Sequence, residues 1–217
     1  MNQTLLPLSE FTERRRVFVA QMSENSIAIF SANEEVTRSN DTEYPFCQEK
    51  SFYYLTGFNE PDAILVLVKT EVPQSILFCL DKDPLTEVWH GKRIGHIKAQ
   101  SDYGFEHSFA LSQVEERLPE YLENAESLYF CRGKNQAFDE RIFQWLNKTK
   151  AKSRQGISAP ETLKDCQKIL DEMRLIKSPA ELDVMRKINV ISGNAHQRAM
   201  KKTRAGIFEY QIEAEIL

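Results

Sequence analysis

The residues best suited to metal or proton chemistry near neutral pH are His90, His96, His107 and His196, and their spacing supports neither role. A hydrolytic metal centre needs several carboxylates and a histidine converging on one point, and no HxH or HExxH pattern occurs. Asp81 and Asp83 in "DKDP" resemble a paired carboxylate, but a solvated turn after a strand produces the same pattern and is the preferred reading. His196, near Asn194 and Arg198, reads as a surface or interface histidine. Nucleophilic catalysis has no better basis, because there is no GxSxG elbow and no cysteine in a histidine-rich context. Gly91 and Gly95 in "WHGKRIG" are too far apart to form a phosphate loop, so the segment is expected to be an exposed loop. Within it Trp89, flanked by His90, Lys92 and Arg93, lies outside any regular pattern. It is either a partly buried anchor of the loop, the plainer reading, or an aromatic wall presented to a peptide or a neighbouring subunit.

Cys47, Cys79, Cys131 and Cys166 are widely spaced with no CxxC pair, which predicts reduced, mostly buried thiols and a cytoplasmic location. A chain of 217 residues with 41% hydrophobic content can bury a real core. The net charge of -4, without a basic block, gives no footprint for nucleic acid. No apolar stretch approaches the ~20 residues that span a membrane, and the start of the chain lacks the apolar core of a signal peptide. Peptides, small molecules or protein surfaces are the expected partners.

These residues must be positioned by a layered α/β structure. Phe11, Phe18 and Met22 recur on one face and predict a helix from Ser9 to about Ser23. Strand-length apolar runs follow at Ile27 to Phe30, Phe52 to Leu55, Ala63 to Val68, Ile76 to Leu80 and Leu128 to Cys131. The continuously apolar run Ala63 to Val68 is expected to be a central strand covered on both faces. Helices are predicted over Ser112 to Glu123 and Ala137 to Lys150, and strands alternating with helices argue for a mixed α/β class. From Asp165 onward strand signals cease, and helices are expected over Asp165 to Leu175, Ser178 to about Lys202 and Phe208 to the end. "KSPAEL" marks the sharpest start: Ser178 can cap, Pro179 suits the first helical position and Glu181 completes a capping box. Ile207, Tyr210 and Ile212 or Leu217 then present an apolar face with nothing after it, which predicts a second domain cut short.

"EVTRSNDTEYPFCQEKSFYYLTGFNEPDAILVLV" resembles the amino-terminal domain of the aminopeptidase P family, the Xaa-Pro aminopeptidases. The likeness continues through "TEVWHGKRIG", "EMRLIKSPAELDVMRK" and "AHQRAMKKTRAGIFEYQIEAEI". One departure is Ala205, where the family commonly has proline before the glycine. The resemblance implies a mixed-sheet creatinase/aminopeptidase P-type domain with flanking helices over residues 1–164. Residues 165–217 are then the linker and first helices of a truncated pita-bread catalytic domain. It further implies a metallopeptidase that releases the residue preceding proline, using two ions, usually manganese, held by two aspartates, a histidine and two glutamates. All of these ligands would lie beyond Leu217, so this chain is expected to lack metal ligands and to be inactive alone. "SFYYLTGFNEP" is then scaffold of a non-catalytic domain that supports homo-oligomers and narrows access to the active site. Trp89 falls where the family's domain lies closest to substrate, in its own or a neighbouring subunit, and is the one site candidate. A prolidase- or creatinase-type enzyme, or a binding module with a metal-free pita-bread domain, are the alternatives.

Overall fold

The computed structural model describes residues 5–217. Helix α1 (Leu8–Gln21) leads into strand β1 (Ser26–Ser31), followed by a small hairpin of β2 (Thr37–Ser39) and β3 (Thr42–Glu43). Next come α2 (Lys50–Thr56), β4 (Ile64–Lys69), β5 (Gln74–Cys79), α3 (Pro84–His90), α4 (His96–Tyr103) and β6 (His107–Ala110). Then α5 (Val114–Leu122), β7 (Ser127–Phe130), α6 (Gln136–Lys150), β8 (Thr162–Asp165) and α7 (Gln167–Leu175) complete the first of two compact units, Leu8–Leu175 among the described residues.

Six strands form one mixed sheet in the order β6-β5-β4-β1-β7-β8. The central pairs β1/β4 and β4/β5 are antiparallel, whereas β5/β6, β1/β7 and β7/β8 are parallel. Successive strand side chains point to opposite faces, so Ile27 and Ile29 enter one core while Ala28 and Phe30 enter the other. The first core takes Val114, Leu118, Ile142 and Trp145 from α5 and α6. The second takes Phe18, Phe52, Leu55, Tyr103 and Leu170 from α1, α2, α4 and α7. With both faces covered, every position of a central strand is free to be apolar, and that is why Ala63 to Val68 is a continuous aliphatic run. The mixed α/β class with flanking helices is as the sequence predicts.

Two local expectations are corrected, and edge strands β6 and β8 were not anticipated. Phe52 to Leu55 is helix, not strand: the Glu49 side chain accepts the Phe52 amide at 2.7 Å as N-cap, and Gly57 ends the helix in the left-handed region at φ 67°. Phe52 and Leu55 are buried at the i, i+3 spacing of a helix face. The stretch around "WHGKRIG", expected to be an exposed loop, begins inside α3, and α4 and edge strand β6 follow it. A further edge strand, β8, occupies "TLKD", which carries no apolar run to announce it.

The second unit comprises Leu5–Pro7 and Ile176–Leu217. Its helix α8 (Pro179–Lys202) opens with the anticipated capping box: Ser178 Oγ accepts the Glu181 amide at 3.2 Å while Glu181 accepts the Ser178 amide at 2.7 Å. Helix α9 (Glu209–Ile216) packs on α8, with Glu215 2.6 Å from Arg198 Nε.

Candidate functional site

Local sequence builds α3 where a loop was expected. Asp83 accepts the Leu85 amide at 3.1 Å and the Thr86 hydroxyl at 2.5 Å, Pro84 supplies a preset φ at the first turn, and Gly91 stops the helix at φ 81°. "DKDP" is therefore not a carboxylate pair. Asp83 is a helix cap, and Asp81 lies 2.7 Å from His96 Nδ1.

Trp89 is on α3, not outside regular structure, and 85% of its surface is exposed. Among the described residues it is therefore not a partly buried anchor. Leu85 (81% exposed) stands three residues before Val88 (75%) and four before Trp89, so the three form one apolar helix face turned to solvent. The other tryptophan, Trp145, is fully buried in the sheet core.

A short helix with no buried side chain needs other restraints, and four acidic groups supply them. Glu87 Oε1 accepts the Arg93 amide at 3.0 Å, and Glu60 Oε1 accepts the Ile94 amide at 2.8 Å. Glu35 lies 3.6 Å from the Arg93 guanidinium and 3.9 Å from His90 Nδ1. Asp83 caps the start. The opening signature participates directly, because Glu60 follows "GFN" and its carbonyl oxygen accepts from Gln48 Nε2 at 2.8 Å. Glu60 is 5% exposed, and its Oε2 has no hydrogen-bond partner. Burial pushes its pKa up, against the pull of the Ile94 amide and Arg93. Burial likewise raises Asp62, helped by Glu34 and Glu35.

Sequence spacing missed one juxtaposition, since it depends on the β2/β3 hairpin folding toward α3. Ligand atoms of Glu35, Glu43 and His90 lie within 4.8 Å of one another, the one such group among the described residues. Glu35 is already ion-paired, and Glu43 and His90 are exposed, so the trio reads as an ion-pair cluster. His196 lies on exposed α8, remote in sequence from these groups, and no nucleophile joins Trp89 on its face. Leu85, Val88 and Trp89 themselves carry no group that titrates near neutral pH. Among the described residues no helix is long and apolar enough to cross a membrane.

The family described as "Aminopeptidase P, N-terminal domain" matches residues 11–129. Xaa-Pro aminopeptidase of Escherichia coli K12 is 41% identical over 209 residues, covering 95% of this chain and 47% of that protein. Its counterpart in Haemophilus influenzae is 39% identical over 213 residues, covering 98% and 47%. The structure of zinc-substituted E. coli aminopeptidase P in complex with product superposes with a TM-score of 0.94 at 40% identity, covering 97% of this chain and 48% of that one. The chain thus spans about half the length of the relatives it matches.

Proposed function

Because this chain belongs to the aminopeptidase P family and carries its amino-terminal domain, we propose that it is the non-catalytic portion of a cytoplasmic Xaa-Pro aminopeptidase. The full-length protein removes the amino-terminal residue of peptides with proline in second position. The observation that carries this reading is the match over 95% of the chain to a relative of that name. The family's manganese pair would supply the hydrolytic chemistry of the full-length protein and would need two aspartates, a histidine and two glutamates to hold it. The residues here do not fit that centre: the clustered group Glu35, Glu43 and His90 contains no aspartate and has one carboxylate bound to Arg93. No step of the reaction is therefore assigned to this chain, and residues 1–217 alone are inactive.

The domain's own contribution is binding and enclosure. The Leu85, Val88 and Trp89 face is apolar, exposed and braced from beneath, which suits it to contact peptide and to meet another copy in a homo-oligomer. Trp89 is the residue proposed to touch substrate. In the full-length enzyme, Trp89→Ala should lower kcat/KM on longer Xaa-Pro peptides while leaving the melting temperature unchanged, since the side chain is 85% exposed. Unchanged kinetics with a large stability loss would overturn the contact reading. Manganese-dependent cleavage by residues 1–217 alone would overturn the division of labour.

A further inference from the structure

Cys131 and Cys166 lie 35 residues apart in sequence and side by side in the fold. Strands β7 and β8 pair in parallel with that same offset, Ser127 opposite Thr162 and Phe130 opposite Asp165, so the next step of the register sets Cys131 beside Cys166. Neighbouring parallel strands run about 4.8 Å apart, inside the roughly 4.4–6.8 Å between Cα atoms that a disulfide requires. The two sulfurs are 2.8 Å apart, and both thiols are free. Spacing along the chain concealed this pair, since only the register reveals it.

The two thiols differ in the way a reactive pair should. Cys166 is fully buried, whereas Cys131 is partly exposed and lines a cavity of about 160 Å³ with Ser31, Asn33, Glu49, Lys134 and Asp139. The hydrogen bond from Cys166 holds the Cys131 thiol below its ordinary pKa, against the effect of burial and with help from Lys134. The same bond, together with burial, pushes Cys166 up. Cys79, by contrast, is raised to about 12 by burial and is inert.

We propose that Cys131 and Cys166 form an oxidation site in which Cys131 is the attacking thiol and Cys166 the resolving one, with hydrogen peroxide as oxidant. The Cys131 thiolate attacks one peroxide oxygen, the O–O bond breaks, and the departing hydroxide takes up a proton as water, leaving Cys131 as a sulfenic acid. The Cys166 sulfur then attacks the Cys131 sulfur, the S–O bond breaks, and the hydroxide leaves with the Cys166 proton as a second water. The cysteines lose two electrons, the peroxide gains them, and the cavity, lined by Phe30 and Phe138 as well as by Glu49 and Lys134, is large enough to admit an oxidant of that size. The product ties edge strand β8 and the start of α7 to β7.

The test is peroxide treatment of the native full-length protein, followed by alkylation under denaturing conditions and peptide mapping. The expected result is one cross-linked peptide joining Cys131 to Cys166, lost on reduction, with Cys79 still alkylated. Closing a loop of this length should raise the melting temperature of the sheet-containing unit by roughly 10 °C. In Cys166→Ser, dimedone should trap sulfenic acid at Cys131; in Cys131→Ser, Cys166 should stay unmodified. Mapping that finds both thiols free while exposed Cys47 is oxidised would overturn the proposal. So would modification of Cys166 in Cys131→Ser. The wild-type map decides the matter even if a variant fails to fold.

Discussion

Replacing Gly57 by alanine tests how the signature "YLTGF" is built. Gly57 sits at φ 67°, where an L side chain costs about 1–2 kcal/mol. A Cβ there would also stand 2.7 to 2.9 Å from three atoms of the Phe11 ring. That ring cannot swing aside. It is 1% exposed, packs edge-on against Tyr53 at 6.0 Å between centroids, and has the Arg14 guanidinium over it at 5.3 Å. Overpacking of this kind adds about 1–3 kcal/mol. The total, about 3 kcal/mol, corresponds to roughly a 10 °C fall in melting temperature for a chain of this size. Gly133→Ala is the control, since its φ is 78° but nothing lies within 4 Å of its added Cβ, leaving only the conformational cost. Denaturant unfolding followed by fluorescence can separate the terms, because Trp145 reports the sheet core while Trp89 is already exposed. In a Phe11→Leu background the cost of Gly57→Ala should shrink toward that of Gly133→Ala. Equal costs for the two glycines in the wild-type background would refute the steric argument.

Two further outcomes follow from the same geometry. Glu60 has its folded pKa raised above the ordinary 4.5 by burial, so the stability it contributes is complete below that value and is lost as pH rises through the folded pKa. Glu60→Gln should therefore flatten the decline in stability above about pH 4.5 in a pH series of urea midpoints, whatever its constant offset; an unchanged slope would contradict the burial argument. Ser178→Ala removes half of the capping box of α8 and should cost that helix about 1 kcal/mol. Hydrogen exchange should show the loss as faster exchange in its first turn, with the strands of the sheet unaffected.

The sequence was legible where burial was uniform. Strands β1, β4, β5 and β7 appear as apolar runs because both faces of the sheet are covered, and α8 was legible because its cap is written in adjacent residues. It misled at Phe52 to Leu55, where contiguous aromatic residues satisfy either period and the deciding groups, Glu49 and Gly57, lie outside the run. Edge strands β6 and β8 were invisible for the opposite reason, being short and partly exposed. Helix α3 spans seven residues, so its one apolar repeat, Leu85, Val88 and Trp89, is too short to stand out, and Asp83, Pro84 and Gly91 are the marks of its ends. Trp89 could be singled out by type and setting, but its orientation could not. The Cys131 and Cys166 pair, and the Glu35, Glu43 and His90 cluster, required strand register and a hairpin to bring them together.

The role of the signature stretch follows from what α3 lacks. A helix of seven residues with no buried side chain has neither the length to persist alone nor a core to hold it. Its position is set by polar restraints at its two ends, Asp83 at the start and Glu87, Glu60 and Glu35 around the chain that leaves it. Glu60 is the restraint that comes from the first unit's interior, and leaving its Oε2 buried without a partner works against stability. Such a cost is understandable if the position of α3 matters more than its contribution to folding. "SFYYLTGFNEP" is thus scaffold with a direction. Its helix α2 is fixed against α1 by Gly57 and Phe11, and its Glu60 carries that rigidity across to the exposed face of Leu85, Val88 and Trp89.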